Sequence, residues 1–153
     1  MSVGRRALFA WAIAVIFGTA AATFSFAAEL ASPLLVQNAW LRKAPGAETA
    51  AAYLVLRNTS AQPVVITGAS SPIASHVMIH ESTMVGGQSR MRMHEQLVIA
   101  PGQTVTFAPG GLHVMLSGFT KDPVVGQNVP LVLLLANGGQ IAVTAVVRPL
   151  DAQ

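Results

Sequence analysis

Turn-forming residues recur so closely along this chain that a helix of ordinary length has no room between them. Ala44-Pro45-Gly46, Gly86-Gly87, Pro101-Gly102, Pro109-Gly110-Gly111 and Asn137-Gly138-Gly139 interrupt one apolar run after another. The segments left between them, 35–42, 50–58, 63–69, 76–81, 89–94, 103–108, 112–117, 129–135 and 140–148, are short and rich in Val, Ile, Leu and Thr. Such segments, bounded by Gly, Pro and Asn, predict strands, and their number predicts an all-β sandwich or barrel. Ala50–Ala52 favours helix by propensity, and the run Leu131–Leu135 has no period of its own. Length decides both for strand, because each run meets a turn former within about ten residues.

The N-terminus has a different character. Arg5 and Arg6 precede a stretch, Ala7 to Ala22, that carries no charge. Ser25-Phe26-Ala27 then offers small residues at the spacing a signal peptidase reads. Residues 1–27 are therefore expected to be a signal peptide, with cleavage after Ala27 or Ala28. An uncleaved anchor is the second reading, since the apolar run approaches bilayer length. Residues 28–153 remain as one domain, enough chain for a single core.

Without the leader's two arginines the formal charge of +3 falls to near neutrality. The remaining basic residues, Arg42, Lys43, Arg57, Arg90, Arg92, Lys121 and Arg148, are scattered, which excludes a nucleic-acid footprint. Cysteine is absent. Disulfides, thiolate catalysis, zinc ribbons and blue-copper centres are thereby excluded, the last because copper there needs a Cys thiolate. No activated-serine motif, recognisable carboxylate pair or phosphate-binding loop points to an enzyme.

The chemistry is concentrated between His76 and Met115, which holds all four histidines and every methionine except the initiator. In a strand, residues i and i+2 emerge from the same face. His113 and Met115 thus share a face, with Val114 and Leu116 turned into the core. By the same parity His76, Met78 and His80 share one face, and Met91 and Met93 another, so three short segments could converge. Thioether sulfur is soft and uncharged, imidazole is intermediate, and Glu81 and Glu95 are the few carboxylates nearby. This donor set disfavours Mg, Ca and Mn, gives zinc little, and matches Cu(I). For His76, Met78, Met84, Met93 and His94 the default is an ordinary packed or solvated side chain.

For His80, Met91, His113 and Met115 the spacing is more specific. Ten residues separate His80 from Met91, twenty-one separate Met91 from His113, and one separates His113 from Met115. In these spacings, and in Ile79-His80-Glu81, Met91-Arg92-Met93, Ile99-Ala100-Pro101-Gly102 and Pro109 to Leu116, the chain resembles the PCu(A)C family of periplasmic copper chaperones. The likeness covers essentially the whole predicted mature domain.

The resemblance implies a cupredoxin-like Greek-key β-sandwich, monomeric, holding one Cu(I) per chain through His80, Met91, His113 and Met115. It further implies a periplasmic chaperone that carries copper towards the copper centre of cytochrome c oxidase, alongside a Sco-type copper protein. Some relatives add a His- and Met-rich C-terminal tail, which the last residues here, Arg148 to Gln153, do not resemble. Transfer would proceed by ligand exchange rather than catalysis. A periplasmic copper buffer or resistance protein would use the same four residues, and a metal-free β-sandwich is the reading without chemistry.

Overall fold

The computed structural model describes residues 32–151, and the expected signal peptide, 1–27, lies outside them. Every regular element among the described residues is a strand: β1 (Leu34–Lys43), β2 (Thr49–Asn58), β3 (Val64–Ser70), β4 (Ala74–Val85), β5 (Gln88–Met93), β6 (Leu97–Ile99), β7 (Thr104–Phe107), β8 (Leu112–Phe119), β9 (Asn128–Leu135) and β10 (Gln140–Arg148). Each of the nine expected segments corresponds to one of them. The additional strand is β6, which at three residues is too short to show a period. Strand β4 outruns its expected bounds, 76–81, because its distal end is held by pairing to β5 rather than by burial; β5 is exposed along its whole length.

Hydrogen bonding links the strands in the order β5-β4-β8-β2-β1-β10-β9-β3-β6, with β7 joined to β2. Ile79 of β4, near one end of this order, and Ile66 and Ile99 of β3 and β6, at the other, belong to a single apolar cluster. The ladder must therefore fold over on itself, which makes it the expected β-sandwich, with Leu41, Leu54, Leu56, Leu116, Leu131 and Leu133 fully buried between its layers. Strands β1 and β10 pair in parallel and the other pairs are antiparallel.

Two local devices position the outer face. Gly86 and Gly87, with φ of 58° and 79°, form the two-residue loop between β4 and β5, the geometry of a type I′ hairpin that needs positive φ at both positions. In β1 the register slips by one residue between Gln37 and Trp40, where Asn38 has a φ of 52°. Asn is one of the few residues that adopts this conformation readily. Before the bulge Leu34 points inward, and beyond it Leu41 does. Trp40 is thereby turned to the opposite face, beside Tyr53. At the far end of β2, fully buried Asn58 ties three segments together: its Nδ2 donates to Gln62 O and Ile99 O, and its Oδ1 accepts from the Ser60 backbone and hydroxyl.

Candidate metal centre

Strand parity and register bring the histidines and methionines together. Residues directly opposite in an antiparallel pair share a face, with Cβ atoms about 5 Å apart. His80 lies opposite His113, and Met78 opposite Met115, in the β4–β8 pair. On its other side His80 lies opposite Met93, and Ser82 opposite Met91, in β4–β5. Ala51 of β2 lies opposite Met115. One sheet face therefore carries all of these side chains, while Ile79, Val114 and Leu116 point into the core beneath it.

His80 and His113 are both buried, and their rings meet edge to face with centroids 6.0 Å apart. His113 Nδ1 lies 3.0 Å from Gly111 O. A carbonyl can only accept, so Nδ1 bears the proton and Nε2 keeps its lone pair for another use. Gly111 belongs to the Pro-Gly-Gly turn, so the same turn that starts β8 also fixes the tautomer of its first histidine, the arrangement commonly found behind metal-bound imidazoles. His80 Nδ1 is buried with no hydrogen-bond partner. An unpaired buried nitrogen costs about 1–3 kcal/mol, a cost that a bound ion would remove. Burial, and then the proximity of His113, push the His80 pKa below the ordinary 6.5, so the ring keeps its lone pair at neutral pH.

Met91, His113 and Met115 line one depression of about 390 Å³, together with Tyr53, Arg42 and the small residues Ala50 and Ala51. Alanine at position 51 leaves the space above β2 open to the Met115 side chain. Tyr53 forms the wall behind His113, ring centroids 6.5 Å apart, and packs in turn on Trp40 at 4.6 Å. The Arg42 guanidinium stands 5.7 Å from the Tyr53 ring centre and donates to its hydroxyl at 3.3 Å. Met91 is 55% exposed, so the thioether on β5 is the one that solvent or a partner reaches first.

The four expected residues thus occupy one face. His94 does not join them: its Nε2 is 2.8 Å from Glu81 Oε2, and Glu81 faces Arg92 and Leu112 on the reverse of the hairpin. Among the described residues no three His, Asp or Glu side chains are grouped to hold a metal ion, and the side chains that adjoin the two histidines on this face are thioethers. Met93 and Met78, whose default is an ordinary packed or solvated side chain, lie directly across from His80 and Met115. Their parity was visible in the sequence; the pairing register that sets them opposite those residues was not.

Residues 34–147 match the model of the LpqE-like family, described as a lipoprotein family. A relative described as "Putative lipoprotein Lxx21020", from Leifsonia xyli subsp. xyli, is 32% identical over 114 residues, 74% of this chain and 68% of its own. The apo form of DR1885 from Deinococcus radiodurans superposes with a TM-score of 0.61 at 31% identity, over 97% of this chain and 99% of that one. The CuI form of the same protein gives 0.60 at 33% identity, over 77% and 81%. The apo PCuAC domain of PmoF2 gives 0.65 at 25% identity, over 79% and 94%.

Proposed function

This chain belongs to the LpqE-like family, of PCu(A)C type, and from that premise we propose that it is a Cu(I) chaperone whose cargo is held by His80, Met91, His113 and Met115. The observation that carries the reading is the juxtaposition of His80 and His113 on one sheet face, each with a nitrogen lone pair available, with His113 lining the same depression as Met91 and Met115. DR1885, 33% identical, is described in a CuI form, which supports the same cargo here.

The donor chemistry supports exchange rather than storage. All four donors are neutral, so a monovalent soft ion suits them better than a divalent hard one. Thioethers need no deprotonation, and the release of the ion is therefore governed by protonation of the imidazoles and by competing ligands. The buried pair His80 and His113 would hold the ion from below. Exposed Met91 would be the first ligand displaced when a partner's donor enters, giving a shared-ligand intermediate with no covalent chemistry in the chain.

Delivery of copper to a cytochrome c oxidase copper centre, with a Sco-type partner, is the destination we propose in the periplasm; the alternative is a periplasmic copper buffer without a dedicated recipient. A lipoprotein family is an exported one, and we assign export of this chain to residues 1–27 as a signal peptide ahead of the 28–153 domain. None of the 153 residues is cysteine, so among them a thioether-linked lipid has no acceptor. The test is anaerobic Cu(I) competition against a chromophoric chelator, followed by mixing the loaded protein with the soluble copper domain of the oxidase. One tight equivalent that leaves for the oxidase domain supports the reading. A tight equivalent that stays favours the buffer, and no competition with the chelator refutes both.

A further inference from the structure

The tripeptide His-Val-Met occurs twice, as His76-Val77-Met78 and as His113-Val114-Met115. In the antiparallel register the two copies meet at their methionines: Met78 lies opposite Met115, while His113 lies opposite His80 and His76 opposite Ser117. The Met78–Met115 pair therefore divides two imidazole positions on the same sheet face, His80 with His113 on one side and His76 on the other.

His76 is prepared in the way His113 is. Ser75 Oγ lies within hydrogen-bond distance of Gly118 O, at 3.2 Å, and of His76 Nδ1, at 3.0 Å; with its single proton donated to the carbonyl, it accepts from Nδ1–H. That tautomer leaves the Nε2 lone pair free, and the ring is exposed. Gly118, with a φ of 66°, is needed for this arrangement, since a Cβ there would collide with Ser75 Oγ.

We propose that His76 and Met78, with Met115 shared across the strand pair, form a second soft-metal position for Cu(I), one residue pair along the sheet from the first. This rests on the reading of the first site given above. Alternate residues on a strand are about 7 Å apart, so an ion could pass from one position to the other by exchanging ligands at the methionine pair without leaving the face. With fewer buried donors, the second position binds more weakly and serves as the outer stage of loading or release.

The test is a stepwise anaerobic Cu(I) titration of the full chain, followed by NMR of the histidine rings and methionine methyl groups, in the wild type and in the double variant His76→Asn, Met78→Leu. The expected result is a first equivalent that shifts His80, His113 and Met115, then a second, at least tenfold weaker, that shifts His76 and Met78. The variant should bind the first equivalent as before and lose the second. A wild type that takes up only the first equivalent, or a variant that retains the second, overturns this proposal while leaving the first site standing. Binding of no equivalent at all overturns both.

Discussion

Substituting His80→Gln should flatten the acid limb of the metal-free protein's stability curve. The His80 ring is buried, and burial with the neighbouring His113 pushes its pKa below 6.5. The unfolded chain therefore binds a proton on this residue at a pH where the folded protein refuses it. Because the folded-state value is depressed, stability is unaffected above 6.5 and is lost as the pH falls from there towards the folded-state value. Within that window one proton is worth up to about 1.4 kcal/mol per pH unit. Urea unfolding at intervals from about pH 7.5 to pH 5 measures this slope, with the midpoint and its m-value giving the free energy at each step. Gln also changes the packing, so the slope and not the offset is the readout. Parallel curves for wild type and His80→Gln would refute the argument that His80 is held neutral by its surroundings.

Asn58→Ala removes four hydrogen bonds and leaves the buried Ile99 carbonyl without its side-chain donor, and should cost about 2–4 kcal/mol in urea unfolding. Met115→Leu should lower folding stability by less than about 1.5 kcal/mol, since the volumes are similar, yet weaken Cu(I) competition by more than tenfold. Peroxide should oxidise Met91 and Met93, 55% and 49% exposed, before half-buried Met115, and should reduce Cu(I) binding more when applied to the apo form than to the loaded form. Equal loss in both forms, followed by mass spectrometry of the oxidised peptides, would count against thioether ligation.

The sequence was legible wherever local rules decide. Paired glycines at 86–87 specify a hairpin whatever surrounds them, and strict alternation in β10, where Ile141, Val143, Ala145 and Val147 are buried, fixes its inward face. Parity likewise put His113 beside Met115. What parity does not give is which strand lies alongside which. That His80 faces His113 and Met93, and that Met78 faces Met115, depends on the β4–β8 and β4–β5 registers, which the whole sheet determines. The bulge at Asn38 is similar: Asn alone is a weak signal, and only pairing with β2 reveals the slip that turns Trp40 out towards Tyr53. Strand β6 was missed because three residues cannot establish a period.

X-ray absorption at the copper edge of the protein loaded with one equivalent of Cu(I) would show whether two imidazoles and two thioethers hold copper on this face. Two nitrogen and two sulfur scatterers are expected, with one sulfur lost in Met91→Leu and one in Met115→Leu. A shell of nitrogen and oxygen alone, or a sulfur count unchanged in both variants, would contradict that ligand set.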